Sequence, residues 1–330
     1  MYEKYHDLKG ATIDSPIRHF TITIFLYIVR QTYERGNKMS KNYVIVSDSC
    51  GDLPAKLTEE MVIIPYIYTL DGKEYYNYPD YREQSVKDFY DTLRAGKMAS
   101  TSQVTPTRYA EIWEPILQEG KDIIYLCLSS MLSKSFEMSQ MAAKEMSEKY
   151  PDRKIITIDS KSASGGIGML AVNAVKALNE GKSLDETSSF IQELITRTQH
   201  WVMADDLHHM RRGGRVSGAA AFVGTMLSVK PILSMRSAGK LEPLYKARGR
   251  DKAFDYIVDK LNEFKYDPKE GPIYIVHSDV PDYAKQMQDK ITAKYGFKDF
   301  VVNEIGPVIG AHTGPGTIAV IFLSKEKRLT

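Results

Sequence analysis

Three short apolar runs in the first half of the chain have the pattern of β-strands that are buried on both faces. They are Tyr43–Ser47, Ile123–Leu128 and Lys154–Ile158, and none of them alternates apolar with polar positions. Such runs are typical of parallel sheets, because helices cover both faces of the sheet. The pattern therefore predicts an α/β fold built on a parallel sheet.

Segments with helical spacing of apolar residues separate these strands. They follow Ser85, Thr105 with Pro106 in the first helical position, and Ser183, where Ser183–Glu186 has the form of a capping box. Pro115 lies inside the second segment, so we expect a kink or an early helix end there. The alternation of strands and helices predicts a doubly wound sheet.

The pattern changes after about residue 200, where shorter strands are expected. Strands are expected over Ile273–Val276 and Thr317–Leu323, and helices over residues 252–264 and 282–295. We therefore expect a parallel doubly wound α/β domain over residues 39–200 and a second, smaller α/β domain over residues 201–330.

The first 38 residues do not share this pattern. The apolar run Phe20–Val29 is too short to span a bilayer, and no secretory cleavage site follows it. Met39 opens a segment that leads into the first strand, and Glu34–Gly36 can be encoded by a purine-rich sequence like a bacterial ribosome-binding site. We hypothesise that residues 1–38 are a translated leader outside the fold; a genuine N-terminal extension is the alternative.

Composition and charge exclude several classes of function. The chain has 44 Lys and Arg against 42 Asp and Glu, a net charge of +2. A general nucleic-acid binder would have a clear basic excess. The two cysteines, Cys50 and Cys127, cannot form a disulfide scaffold or a zinc ribbon, and they fit a reducing compartment. We expect a cytoplasmic protein that needs no cofactor and does not insert stably into a membrane.

Hydroxyl and carboxylate side chains follow three of the predicted strands, at Ser47–Ser49, Ser129–Ser130 and Asp159–Ser160. The carboxyl ends of parallel strands meet at one edge of a sheet, where ligands bind. Together with Thr101–Gln103, these residues predict a hydroxyl-lined pocket for an anion. Each serine taken singly is more often a helix cap.

Two glycine-containing segments also carry candidate chemistry. Arg211–Ser217 places three arginines around a glycine pair, and we expect a turn that presents cations to a phosphate or carboxylate. A solvated surface turn is the alternative. Gly306–Gly316 is expected to be a rigid loop around His312, and its spacing does not match a phosphate-binding P-loop.

A free-standing hydrolase is the competing class of function. Ser130, His312 and Asp48 could form a nucleophilic triad for acyl esters, although the chain has no Gly-x-Ser-x-Gly elbow. The histidines at 208–209 and the aspartates at 205–206 lack the spacing of metal ligands, which favours polar surface over a metal site.

Seven ordered motifs resemble those of the DegV family: Asp48–Pro54, Thr101–Gln103 with Pro106, Leu128–Ser133, Asp159–Ser160, Gly213–Ser217, Val229–Leu233 and His312–Gly316. The resemblance runs from about residue 43 to the C-terminus. It implies a protein that binds a long-chain fatty acid and is not catalytic alone. The better-understood members are similar to the lipid-binding subunit of bacterial fatty acid kinase. That subunit presents the carboxylate to an ATP-binding kinase partner, and the acyl phosphate product feeds phospholipid synthesis.

The resemblance also implies roles for individual residues. The carboxylate would be held by Thr101 or Ser102, by Ser129 or Ser130, and by His312. Arg215 would lie near the head group or face the partner, and Arg248 would help to dock the kinase. Lys134 stands where the family commonly has glycine, which affects the loop that carries Ser129. A lipid reservoir without a kinase partner is a further alternative.

Overall fold

The first sheet in the described part of the chain has four parallel strands. The structure is a computed structural model, and it describes residues 42–205, 207–216 and 229–330. The strand order is β2-β1-β6-β7, and every neighbouring pair is parallel. The strands are β1 (Tyr43–Asp48), β2 (Val62–Ile64), β6 (Asp122–Cys127) and β7 (Ile155–Asp159). The prediction of a parallel sheet is confirmed.

Two further sheets complete the described fold. A six-stranded sheet has the order β10-β9-β8-β13-β11-β12, and only the β11–β12 pair in it is parallel. Its strands are β8 (Thr198–Met203), β9 (Val229–Met235), β10 (Leu241–Arg248), β11 (Ile273–His277), β12 (Phe300–Glu304) and β13 (Ile318–Leu323). A small antiparallel sheet contains β3 (Tyr66–Leu70), β4 (Lys73–Asn77) and β5 (Ala99–Ser102).

Helices cover the parallel sheet and the six-stranded sheet. They are α1 (Val86–Arg94), α2 (Pro106–Gln118), α3 (Ser135–Lys149), α4 (Gly165–Asn179), α5 (Leu184–Arg197), α6 (His208–Gly213), α7 (Arg250–Glu263), α8 (Pro281–Tyr295) and α9 (Pro307–Thr313). The pairs α2–α3 and α4–α5 pack on the parallel sheet, while α7 and α8 form a core with the six-stranded sheet around Trp201, Phe254 and Phe322. The α/β class with a second sheet-rich part is confirmed; the boundary at residue 200 stays a prediction.

Helix α4 lies between the two large sheets, and its small residues make that position possible. It contacts β1 and β6 on one side and β8, β11 and β13 on the other. A Cβ atom at Gly166 would lie 2.0 Å from Nε2 of His200, and one at Gly168 would lie 2.6 Å from the carbonyl oxygen of Gly51. Any side chain at these two positions would therefore push the helix away from its neighbours.

The capping signals in the sequence correspond to real helix ends. The hydroxyl of Thr105 accepts a hydrogen bond from the backbone N–H of Arg108, and Ser183 and Glu186 form the predicted capping box. The helix does not end early at Pro115, because α2 continues past it to Gln118; the kink stays a prediction.

Two segments expected to be irregular contain helices. Residues 307–313 form α9 instead of a loop, with Pro307 in the first position, where a missing N–H costs no helical hydrogen bond. Arg211 and Arg212 lie in the last turn of α6, and the expected turn is restricted to Gly214, which has a φ of +67°. The leader at residues 1–38 and Ser217 lie outside the described residues.

Buried Asp52 joins the loop after β1 to the starts of α4 and α9. One carboxylate oxygen accepts a hydrogen bond from the hydroxyl of Ser164, and the other accepts one from the backbone N–H of Gly306, at 3.0 Å. Its carbonyl oxygen accepts a hydrogen bond from the side-chain amide of Asn303 at 2.9 Å. Burial raises the pKa of Asp52 to about 7, and the hydrogen bonds from Ser164 and Gly306 to its carboxylate only partly offset the effect.

The substitution Asp52→Asn should change how the stability of the protein depends on pH. The pKa of Asp52 is higher in the folded chain than in the unfolded chain, where it is about 4. Its contribution to stability is therefore largest at low pH and is lost as the pH rises to about 7. Asparagine keeps one donor and one acceptor and tolerates the φ of +44° at this position.

Urea unfolding between pH 4 and pH 8 tests this prediction. We expect the variant to gain stability relative to the natural chain as the pH rises, by at most about 1.4 kcal/mol per pH unit. At pH 8 the variant should be the more stable of the two. A difference that does not change with pH would show that folding does not raise the pKa of this carboxyl group.

Candidate functional site

A cavity of about 450 Å³ opens where the small antiparallel sheet, α6 and α9 come together. Its described walls are formed by the end of β5, the loop after β6, the C-terminal end of α6, the first residue of β10, and α9. The volume lies within the range of small-molecule sites, about 300 to 1,000 Å³.

The lining of the cavity changes from apolar to polar between its interior and its mouth. Tyr66, Leu128, Met210 and Val308 line it and are almost completely buried. Ser102, Gln103, Lys134 and Arg215 line it and are exposed. A molecule with an apolar body and a polar or anionic end matches this gradient.

A buried carboxylate holds two residues of the apolar wall from behind. The carboxylate of Asp48 accepts a hydrogen bond from the hydroxyl of Tyr66 at 3.2 Å and one from the backbone N–H of Leu128 at 2.7 Å. A third comes from the backbone N–H of Cys50 at 2.9 Å. Burial raises the pKa of Asp48 to about 6, and its three donors partly offset that increase. Asp48 therefore positions the wall and does not face the cavity.

Thr101 and His312 form a hydrogen-bonded pair in the cavity wall. Thr101 lies in β5 opposite Tyr68 of β3, and His312 lies in the last turn of α9. The hydroxyl oxygen of Thr101 and Nε2 of His312 are 2.9 Å apart, whereas Nδ1 of His312 is buried without a hydrogen-bond partner among the described residues. The two residues are separated by 211 positions in the sequence.

His312 is electrically neutral at pH 7. Burial lowers the pKa of its imidazole to about 4, and the positive charge of Arg215 acts in the same direction. A neutral imidazole has one N–H group. The Thr101–His312 pair therefore adds no formal charge to the wall, and the charge at the mouth comes from Arg215 and Lys134.

Arg215 is held at the mouth by backbone carbonyl groups. Its Nε–H donates to the carbonyl oxygen of Leu132 at 3.4 Å, and a second guanidinium N–H donates to the carbonyl oxygen of Gly213. Lys134 also lines the cavity, and it forms an ion pair with Glu137. The mouth thus carries two exposed cations.

The other hydroxyl candidates do not lie in the cavity wall. The buried hydroxyl of Ser129 donates to the carbonyl oxygen of Gly239 at 2.8 Å, which attaches the β9–β10 turn to the loop after β6. The exposed hydroxyl of Ser130 donates to Asp159 at 2.6 Å. The structure therefore brings together Thr101, Ser102, Arg215 and His312 in the cavity wall, and the hydroxyls of both serines bond to other parts of the chain.

The other strand-end hydroxyls expected in the anion pocket, those of Ser49 and Ser160, form hydrogen bonds within the protein. The hydroxyl of Ser49 accepts hydrogen bonds from the backbone N–H of Tyr66 and the side-chain amide of Asn77. The hydroxyl of Ser160 accepts one from the backbone N–H of Ser162. These polar groups stabilise the loops themselves, because buried hydroxyls at strand ends need partners.

Arg248 lies far from the cavity along β10. It is exposed at the last position of that strand, whereas Leu241 at the first position lines the cavity. Seven steps of about 3.3 Å separate the two residues by roughly 20 Å. Arg248 therefore does not line the cavity that the described residues form.

The residues of the alternative hydrolase and metal sites have other partners. Asp48 and Ser130 make the contacts given above, and neither contacts His312. Asp205 accepts hydrogen bonds from Lys230 and Tyr283. Within residues 42–205, 207–216 and 229–330, no cluster of His, Cys, Asp and Glu could hold a metal ion. Asp206 lies outside those ranges.

Several residues of the cavity wall were not identified from the sequence. Gln103, Ser133 and Thr313 belong to the motifs named above but had no assigned role, and their place in the wall depends on the fold. Tyr66 and Met210 belong to no motif at all.

Among the described residues, no helix is long and apolar enough to cross a bilayer.

Comparisons with known proteins identify relatives along almost the whole described chain. Residues 42–325 match a family model described as an uncharacterised protein of the DegV family. A DegV domain-containing protein of Clostridium perfringens is 39% identical over 289 residues, which cover 87% of this chain and 99% of that protein.

Solved structures show the same fold. A DegV family protein from Thermus thermophilus, described by its fatty acid binding, matches with a TM-score of 0.76 and 29% identity, over 86% of this chain and 99% of that one. The fatty acid kinase B3 protein of Streptococcus pneumoniae, loaded with linoleic acid, matches with a TM-score of 0.75 over 86% and 100% of the two chains. At 21% identity, this second similarity concerns the fold alone. The family match and the identity to the Clostridium relative show that the chain belongs to the DegV family.

Proposed function

We propose that this protein binds a long-chain fatty acid, with the acyl chain in the cavity and the carboxylate near its mouth. The observation that carries the proposal is the gradient from the buried apolar wall at Tyr66 and Val308 to the exposed polar mouth at Ser102 and Arg215. The fatty acid binding described for the Thermus relative supports the same class of ligand. The ligand is the fatty acid itself, and no cofactor is needed.

The acyl chain would supply most of the affinity. About 14 methylene groups, each contributing ~0.8 kcal/mol when removed from water, give on the order of 11 kcal/mol. Ordering the chain and losing free rotation take back several kcal/mol of this. Tyr66 and Leu128, which line the apolar part of the cavity, donate hydrogen bonds to the carboxylate of Asp48.

Thr101 and Ser102 would hold the carboxylate, with His312 supporting Thr101. A hydroxyl can donate a hydrogen bond to an anion, and such charge-assisted bonds are stronger than neutral ones. Arg215 adds a positive charge at the mouth without an ion-pair partner among the residues described around it. Ser129 and Ser130 would act by shaping the loop after β6.

We further propose that an ATP-binding kinase partner phosphorylates the bound fatty acid, and that this protein has no catalytic activity alone. The exposed mouth supports this proposal, because a phosphate donor can approach the carboxylate from outside past Arg215 and Lys134. The exposed guanidinium of Arg248 would contact the partner at a distance from the ligand. The acyl phosphate would supply phospholipid synthesis in the cytoplasm.

Native mass spectrometry tests the proposed ligand first. The purified protein should carry a stoichiometric mass that denaturation and lipid extraction identify as a long-chain fatty acid. An empty protein that also fails to bind added fatty acids would contradict the proposal. An empty protein that cleaves a generic acyl ester would support the hydrolase alternative, provided that Ser130→Ala abolishes the activity.

Removal of single hydroxyl groups separates the two sets of candidate residues. Thr101→Val keeps the shape of the side chain but removes the donor, so we expect affinity for the fatty acid to fall about tenfold or more. Ser130→Ala removes an exposed hydroxyl outside the cavity and should change the affinity less than about twofold. Titration with a fluorescent fatty acid measures both. The reverse order would place the carboxylate at the loop after β6.

Substitutions at the mouth should affect phosphorylation more than binding. His312→Ala and Arg215→Ala leave the apolar wall intact, so affinity should fall less than the rate of acyl phosphate formation with the kinase partner and ATP. Equal losses in affinity and rate would contradict this division between tail affinity and head-group chemistry. If the natural chain forms no acyl phosphate with any such partner, the reservoir alternative stands.

A further inference from the structure

The last residue of α6 lies directly against the imidazole of His312. A Cβ atom built at Gly213 would lie 2.6 Å from Nδ1 of His312 and 3.4 Å from its Cβ and Cγ. A real Cβ atom cannot approach a ring nitrogen so closely. The hydrogen that replaces the side chain of Gly213 therefore points at Nδ1.

The backbone of Gly213 gives no other reason for a glycine at this position. Gly213 is helical and is not among the glycines with positive φ, whereas the next residue, Gly214, has a φ of +67° and open space around a built Cβ atom. Alanine is more favourable than glycine in a helix. The contact with His312 thus accounts for the missing side chain at position 213.

This contact determines which nitrogen of His312 carries the proton. Nδ1 is buried, has no hydrogen-bond partner in the described part of the chain, and is faced by a Cα–H group. An N–H at Nδ1 would be a buried donor without an acceptor, which is costly, whereas an unprotonated nitrogen can accept a weak contact from a Cα–H. The proton of the neutral ring is therefore on Nε2, where it is donated to the hydroxyl oxygen of Thr101 at 2.9 Å.

The hydrogen of the Thr101 hydroxyl is then free to be donated into the cavity. A hydroxyl that accepts from Nε2–H keeps its own O–H for another acceptor. Gly213 also holds the exposed cation, because its carbonyl oxygen accepts a hydrogen bond from the guanidinium of Arg215. Gly213 thus contacts both His312 and Arg215.

Given the fatty-acid-binding function proposed for the cavity, we propose that Gly213 is a positioning residue that orients His312 and thereby sets Thr101 as the donor to the ligand. Gly213 itself does not touch the ligand. Its effect on binding passes through the imidazole of His312, so it should disappear when that imidazole is removed.

A double-mutant cycle on the full chain tests this dependence. Gly213→Ala should lower fatty acid affinity about tenfold, within the range that overpacking by one methyl group produces. In the His312→Ala background, which serves as the matched control, the same substitution should change affinity less than about twofold. Equal losses in both backgrounds would overturn the proposal.

Nitrogen NMR of ¹⁵N-histidine-labelled protein without ligand gives a second, independent measurement. The His312 signals, assigned by their absence in His312→Ala, should show an unprotonated Nδ1 and a protonated Nε2 near pH 7. They should change in Gly213→Ala, and unchanged signals would overturn the proposal. If the natural chain binds no fatty acid, the proposed function fails, while this spectrum still tests the role of Gly213.

The folding of the variants is a further test of the contact between Gly213 and His312. If Gly213→Ala alone does not fold, recovery of folding in the double variant Gly213→Ala/His312→Ala supports the contact, because the imidazole that causes the clash is gone. Failure to fold in both backgrounds would overturn the proposal.

Discussion

The placement of α4 between two sheets is the constraint on which the rest of the structure depends. The helix can occupy that space only because Gly166 and Gly168 have no side chains towards His200 and Gly51. Ser164, immediately before the helix, donates a hydrogen bond to Asp52, and Asp52 also accepts one from Gly306, immediately before α9. The position of α4 is thus transmitted to α9, which carries His312.

The cavity is a consequence of this arrangement and not of any single motif. The antiparallel sheet contributes Thr101, and α9 contributes His312 and Val308. Helix α6 contributes Met210, and the segment after it contributes Arg215. Asp48 lies behind the apolar wall, and Tyr66 and Leu128 donate hydrogen bonds to its carboxylate. Ser102 and Arg215 line the cavity and are exposed, and this contrast is what suits the cavity to an amphiphilic ligand.

Features that depend on local periodicity were predicted from the sequence. Features that depend on contacts between residues far apart in the sequence were not. The apolar strands β1, β6 and β7 and the helix capped by Ser183 were predicted, because burial on both faces and capping leave local patterns. The strand β5 has the polar sequence Ala-Ser-Thr-Ser and forms through pairing with β3. Helix α9 forms despite an internal glycine, for which propensity alone predicts a loop.

The candidate site residues include some that line the cavity and others that do not, and the sequence gives no local signal that separates them. Hydroxyls at strand ends satisfy local turns as readily as they bind ligands, so the sequence could not distinguish Ser130 from Ser102. The pairing of Thr101 with His312 spans 211 residues and leaves no periodic signal. The contact between Gly213 and His312 is hidden for the same reason, since a glycine before another glycine looks like part of a turn.

An experimental structure of the protein with a bound fatty acid would show where the ligand lies. We expect its carboxylate within hydrogen-bond distance of the Thr101 hydroxyl, and its acyl chain along Tyr66 and Val308. A carboxylate bound to Ser129 or Ser130, or an acyl chain outside this cavity, would contradict this expectation.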